Sequence, residues 1–283
     1  MRFLGKLCIN DFVKEKLFGM KTLLIVGGSS GIGYETAALF QKNDYKVINV
    51  SRTPCSLVGV TNEPCDVTVR EDLDKILRET TEREKIDCFV YSAGFSMASP
   101  LEYVKEGDYR YLFEVNFFAF LHCLQVLLPA LRSNDGVACV VSSLGACLPI
   151  PFDAYYSSSK AALNTFVTAL NYELESQNVK VVSVMPGGTK TGFTSKRKVY
   201  PPSETDGYAK MQKLAVSRLA QTEQKGADPK KVAKTIFKSC EYPSSSVVSS
   251  CFMNKCAHAL SRLMPYRMRD ALIKWLYFSE EEE

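Results

Sequence analysis

The sequence of 283 residues predicts an α/β fold in which one doubly wound parallel sheet carries helices on both faces. Three observations predict it. Short apolar runs alternate with helical patterns from Lys21 to Val184, the pattern of consecutive βαβ units. The first run ends in a glycine-rich turn that opens a helix. The composition, 46% hydrophobic and 23% charged, leaves ample side chains for one large core.

Lys21–Val26 reads as a buried parallel strand, and Gly27-Gly28-Ser29-Ser30-Gly31-Ile32-Gly33 as the turn after it. Tyr34–Asn43 has helical periodicity, with Ala37, Ala38 and Phe40 apolar. Lys46–Val50 is a strand, Asp72–Arg83 a helix and Asp87–Tyr91 a strand. Tyr109–Arg132 is a long helix, Val137–Val141 a strand, Tyr156–Gln177 a second long helix and Val179–Val184 a strand. From Gly192 to Gly226 the chain turns polar, carries Pro201, Pro202 and Gly207 and lacks a strand signal, which predicts a helical lid. Asp228 as N-cap and Pro229 in the first turn start another helix. Cys251–Phe278 reads as a helical hairpin broken at Pro265, and Glu280–Glu283 as a frayed tail. The expected organisation is an N-terminal extension (1–20), a single Rossmann-type catalytic domain (21–250, lid about 192–226) and a C-terminal helical extension (251–283).

The totals exclude several classes. A formal charge of +4 does not point to nucleic acid and suits a phosphate-bearing cofactor or substrate equally well. Ten cysteines occur, but none in CxxC spacing, and two histidines are too few to help them, so no metal site is expected. They read as reduced, buried small hydrophobes of a cytoplasmic protein. The most apolar segment, Val115–Leu131, is interrupted by Asn116, His122 and Gln125, which argues against a membrane span. Asp11, Lys14, Glu15 and Lys16 break any secretory signal near the start.

The glycine turn has GxxxGxG spacing directly after a buried strand. Such glycines let the backbone turn sharply and approach a pyrophosphate, while the next helix offers its N–H groups; a turn with no ligand is the plainer alternative. The second strand ends at Ser51-Arg52, and no carboxylate stands between Asp44 and Glu63. An acid at that strand end holds a ribose 2′-hydroxyl, whereas an Arg accommodates a 2′-phosphate, so NADP(H) is expected over NAD(H).

Tyr156 and Lys160 are four residues apart on a predicted helix and share a face. A nearby ammonium favours phenolate and lowers a tyrosine pKa from about 10, which makes Tyr156 a plausible proton donor to a carbonyl. With these residues on the page, the chain resembles the short-chain dehydrogenase/reductase family. The resemblance rests on Val26-Gly27 with Gly31 and Gly33, Asp66-Val67, Tyr91-Ser92-Ala93-Gly94, Asn116, Ser142-Ser143, Tyr156, Lys160 and Pro186-Gly187-Gly188-Thr189-Lys190-Thr191, and spans about Lys21 to Tyr242. It implies a catalytic tetrad of Asn116, Ser143, Tyr156 and Lys160. Tyr156 would be the general acid/base, Ser143 would orient the substrate oxygen, and Lys160 would tune Tyr156 and bind the nicotinamide ribose. Asn116 would hold a water linking Lys160 to solvent. Gly27, Ser29, Ser30, Gly31, Ile32 and Gly33 would cradle the pyrophosphate, and Ser51 and Arg52 would meet the 2′-phosphate. Asp66 and Val67 would bracket the adenine, Ala93, Gly94, Pro186, Gly187 and Thr189 would line the cleft, and Thr191 would sit near the carboxamide. Two departures stand out: Val26 replaces the family's usual Thr, and Tyr91-Ser92 its usual paired Asn. The hydrogen bonds those residues make must come from elsewhere.

Leu144, Leu148, Pro149, Ile150, Pro151, Phe152, Phe95 and Met97 could line a pocket for an apolar ketone or belong to the core. The tail from Ser261 to Pro265 looks like the hydroxysteroid and retinol dehydrogenase branch, which favours steroid-, retinoid- or acyl-like substrates. The expected activity is NADP(H)-dependent interconversion of a carbonyl and an alcohol. The alternatives are an NADP(H)-sensing regulator without catalysis, and a peripheral membrane or scaffold protein using its basic, amphipathic ends. The apolar helices 109–132 and 156–177 further predict a homodimer or homotetramer.

Overall fold

Thr22–Val26, buried at every position, forms strand β1 inside a seven-stranded, all-parallel sheet. The computed structural model describes residues 19–279; most of the predicted N-terminal extension and the Glu280–Glu283 tail lie outside the described residues. Around β1 stand β2 (Lys46–Ser51), β3 (Thr61–Pro64), β4 (Cys88–Tyr91), β6 (Val137–Val141), β7 (Lys180–Met185) and β9 (Val247–Ser249). Their order is β3-β2-β1-β4-β6-β7-β9. Strands β5 (Met97–Ala98) and β8 (Lys198–Val199) form a separate two-stranded parallel ladder.

Burial on both faces explains why the central strands read as unbroken apolar runs. Leu24, Val26, Phe89, Tyr91 and Val140 belong to the core shared with α2 (Arg70–Arg83), α4 (Ala119–Ser133) and α5 (Ala154–Glu173). Leu23, Ile25, Val90 and Cys139 face the opposite way, toward α1 (Gly31–Lys42) and α7 (Pro229–Glu241). The strand order reverses between β1 and β4, so a crevice opens beyond their carboxyl ends, where ligands bind in folds of this kind.

The single helix predicted over 109–132 runs from Glu106 to Ser133 as α3 (Glu106–Phe113), a π-helical turn (Glu114–Phe118) and α4. Among the described residues it is long and apolar enough to cross a membrane, contrary to the sequence reading. Its Leu112, Val115, Phe120, Leu124, Leu127 and Leu131 are buried in the protein, however, which accounts for that apolarity without a bilayer. The lid contains α6 (Ala209–Gln224) as expected, but also β8, too short to leave a strand signal. Asp228 caps α7 through the Lys230 amide at 2.8 Å, with Pro229 in the first turn. The terminal hairpin breaks at Pro265 into α8 (Phe252–Leu263) and α9 (Tyr266–Phe278). Cys55, Cys65, Cys88, Cys123, Cys139 and Cys240 are buried and unbridged, while Cys256 is exposed.

Candidate active site

The turn between β1 and α1 is built by backbone. Gly27 adopts φ +85°, and a Cβ there would sit 2.7 Å from the Ala93 amide, so only glycine lets the turn lie against the end of β4. A Cβ on Gly33 would fall 2.0 Å from the Gly27 carbonyl oxygen, so Gly33 serves the packing of helix on turn and does not line the cavity. The first turn of α1 carries no acidic residue, and its N-cap Ser30 makes no capping bond, which leaves backbone N–H groups facing the crevice.

The two sequence departures are answered by other side chains. Buried Asn49 on β2 accepts the Gly28 amide at 2.8 Å and so fixes the turn from the side. Tyr91, in place of a smaller amide, donates its hydroxyl across to the Val115 carbonyl at 2.5 Å, tying β4 to the π turn. Sequence reasoning missed Asn49, although a lone amide inside an apolar strand was a readable signal.

Asn116 sits in that π turn, fully buried. Its Oδ1 accepts the Phe95 amide at 3.0 Å, and its Nδ2 donates to the Phe95 carbonyl at 2.9 Å and Ser159 Oγ at 3.1 Å. Both amide protons are therefore occupied, and the side chain clamps the chain beyond β4. Ser143 caps a short 3₁₀ turn, accepting the Gly145 amide at 3.0 Å, and its hydroxyl hydrogen-bonds Tyr156. Ser142 Oγ donates to the Lys160 carbonyl at 3.0 Å, and Lys160 Nζ donates to the Val141 carbonyl at 2.8 Å. These bonds pin α5 against the end of β6.

Burial dominates the electrostatics. It pushes the Tyr156 hydroxyl up from the ordinary tyrosine value, with Ser143 opposing and Asp153 and Glu223 assisting. It also pulls the Lys160 ammonium down to about 7. The expected lowering of Tyr156 by Lys160 is thus not what the free site holds: Lys160 Nζ lies 5.7 Å from the Tyr156 ring centroid and is itself poorly solvated. Lys160 makes one hydrogen bond within the described residues, so two of its three donors stay available.

One cavity of about 610 Å³ joins the two halves of the site. Of the predicted cofactor residues, Gly27, Ser29, Ser30, Gly31, Ile32, Ser51, Arg52, Asp66, Val67, Ala93, Gly94, Pro186, Gly187, Thr189 and Thr191 line it. Ser143, Tyr156 and Lys160 line it too, whereas Asn116 lies behind the wall. Arg52 is exposed, its Nη1 3.9 Å from Asp66 Oδ2. The Ser51 hydroxyl already donates to the Thr53 carbonyl at 2.7 Å, which leaves exposed Arg52 as the cation that can meet a phosphate there. Of the predicted apolar lining, Phe95, Leu144, Leu148 and Ile150 reach the cavity, while Met97 is core.

The far wall comes from elements distant along the chain. Leu219 and Glu223 of α6 and Ile273, Leu276 and Tyr277 of α9 close the cavity. Behind this wall, Arg197 of the lid, 3% exposed, donates Nε to Ser96 Oγ at 2.7 Å and Nη2 to Glu223 Oε1 at 2.5 Å. Asp153, 1% exposed and three residues before Tyr156, lies 4.0 Å from Arg197 Nε. Its Oδ1 accepts the Met97 amide at 3.2 Å, and burial raises its carboxyl to about 7 despite the guanidinium. Phe152 beside it holds φ +63°, a conformation rare for a bulky residue, with its carbonyl accepting the Ser99 amide at 2.7 Å.

The profile of the short chain dehydrogenase family matches residues 21–199. A 3-ketodihydrosphingosine reductase of Bacteroides thetaiotaomicron is 28% identical over 76% of this chain and 82% of its own length. Mouse estradiol 17-beta-dehydrogenase 2 is 29% identical over 66% of this chain, but the match spans only 52% of that longer protein. The crystal structure of a short-chain dehydrogenase from Streptomyces avermitilis superposes with a TM-score of 0.76 at 25% identity, covering 94% of this chain and 99% of its own.

Proposed function

The chain belongs to the short chain dehydrogenase family, and from that membership we propose an NADP(H)-dependent oxidoreductase that interconverts an apolar ketone or aldehyde and its alcohol. The observation that carries this reading is the single cavity, which has the glycine turn and Arg52 at one end and Ser143, Tyr156 and Lys160 in its wall. The residues fit a dinucleotide: uncapped α1 amides for a pyrophosphate, Arg52 for a 2′-phosphate, and spare Lys160 donors for ribose hydroxyls.

When bound, the dinucleotide would supply or accept the hydride. In reduction Tyr156 would give its hydroxyl proton to the carbonyl oxygen, while Ser143 would hold that oxygen in place. Burial keeps Tyr156 protonated at neutral pH, which suits the reducing direction; oxidation needs the phenolate and would gain with rising pH. The names of the two relatives refer, for those proteins, to a sphingoid ketone and a steroid alcohol, and the apolar Phe95, Leu148, Ile150, Leu219 and Ile273 support a lipid-like substrate here. Pairing of two copies through the helix 106–133 and α5, where Phe118 of the π turn and Tyr172 stand exposed, belongs to the same proposal, and a monomeric mass in light scattering would remove it.

The test is NADPH consumption over a panel of steroid, retinoid and long-chain acyl carbonyls. Turnover should appear with at least one, and Tyr156→Phe should lower it by ~10²–10⁴ while leaving NADPH binding intact. NADPH binding without turnover on any carbonyl would favour a regulator over an enzyme.

A further inference from the structure

Helix α8 is amphipathic the wrong way round for an isolated soluble protein. Toward the body it turns polar groups: Asn254 Nδ2 donates to Ser250 Oγ at 3.1 Å, His258 Nδ1 lies 3.4 Å from Ser249 Oγ, and Ser261 is buried. Toward solvent it turns Phe252, Met253, Cys256, Leu260 and Leu263, which recur at the helical spacing and form one stripe. Leu263 is 84% exposed and Phe252 79%, so nothing among the described residues covers them. Scattered surface leucines need no explanation, but a contiguous stripe on the face opposite the core marks a contact surface.

The neighbouring helix continues the character of this surface. On α9, Met268 and Trp275 are exposed, and Leu276 is at once 42% exposed and part of the cavity wall. The two helices converge near Cys147, whose thiol feels both Arg262 of α8 and Arg269 of α9, beside cavity-lining Leu148. The apolar groups are interleaved with Lys255, Arg262, Arg267 and Lys274, and Asp270 is the sole acid of the two helices. The acids Glu280–Glu283 follow beyond them, outside the described residues.

We propose that the outward face of α8 and α9 docks on the surface of an anionic phospholipid bilayer, placing the rim of the cavity at Leu276 against the lipid. An outward apolar stripe flanked by cations is what an interfacial helix needs: side chains for the acyl boundary and charge for the headgroups. A second copy of the chain is the poorer occupant, since a two-fold contact would bring Lys255, Arg262 and Arg267 against their own copies with a single acid to offset them. The inference stands apart from the proposed reaction, because it needs no turnover.

The full-length protein should float with vesicles of phosphatidylcholine and phosphatidylserine. The double variant Leu260→Glu, Leu263→Glu, at two exposed sites that fold without packing, should lower the bound fraction at least ~tenfold. The chain has one tryptophan, Trp275, so its emission should shift to the blue on these vesicles and be quenched by brominated lipid. Failure to float would overturn the proposal, as would equal binding to phosphatidylcholine alone or binding unchanged in the variant. A dimer in solution that the double variant splits would assign the face to a second copy instead.

Discussion

The two ends of the cavity are made by different means. The cofactor end is main chain: a turn that tolerates no Cβ at Gly27 or Gly33, amides of α1, and strands buried on both faces. The substrate end is side chain: Arg197 between Glu223 and Asp153, and helix α9 brought from the far end of the chain. Backbone geometry has no softer alternative, so the first end is rigid by construction. A wall held by a buried cation between carboxylates depends on every partner being present.

Removing that cation is the strongest way to break the contrast. Arg197→Met leaves Glu223 and Asp153 without their guanidinium, and breaking a buried pair in this way costs about 3–5 kcal/mol. Thermal unfolding should show the loss, and it should shrink as pH falls below about 7 and Asp153 protonates. NADPH affinity should change no more than a few-fold, because the glycine turn and Arg52 make no hydrogen bond to the lid among the described residues. An equal collapse of NADPH binding would show that the two ends are one unit.

The cofactor end can be probed with a smaller effect. Arg52→Asp replaces the cation at the end of β2 by a charge that would repel a phosphate. Hydrogen bonds to charged groups are worth about 1.5–3 kcal/mol, so the NADPH to NADH ratio of kcat/KM should fall by ~10–100-fold. A wild type that prefers NADH, or a variant with an unchanged ratio, would reduce Arg52 to a surface residue.

Between the ends, Lys160 gives the most specific signal. Its folded pKa of about 7 lies below its unfolded value near 10.5. The unfolded chain therefore binds the extra proton between these limits, and the contribution of Lys160 to stability grows as pH rises from about 7 toward 10.5. Lys160→Met removes that dependence. The melting temperature of the wild type, taken relative to the variant, should rise between pH 7 and pH 9.5, measured at ~1 pH unit steps. A constant difference would mean that Lys160 titrates in the ordinary lysine range.

The same contrast explains what could be read from the sequence. The parallel sheet, the glycine turn and the Tyr156–Lys160 pair were legible because each leaves a local pattern, an apolar run, a glycine spacing or a helical repeat, whereas Ser143 came from the family resemblance and Arg52 from the strand end it follows. Arg197 and Glu223 leave none, since one charged residue in a polar stretch reads like any other until the fold buries it. The left-handed Phe152 contradicts the preference of its residue type and is held by the Ser99 amide, a partner that sequence distance conceals. The clamp that Asn116 makes on Phe95 was hidden for a related reason: its position was predictable, but only the π turn brings its amide to that stretch of backbone.

The short β5–β8 ladder turns the position of the lid into a chemical clock. The Lys198 and Tyr200 amides donate to the Ser96 and Ala98 carbonyls at 3.1 and 3.2 Å. An amide held in this way trades its proton for deuterium only while the ladder is parted, so its protection measures how rarely the lid leaves the core. Two backbone positions thus report the opening equilibrium of the lid.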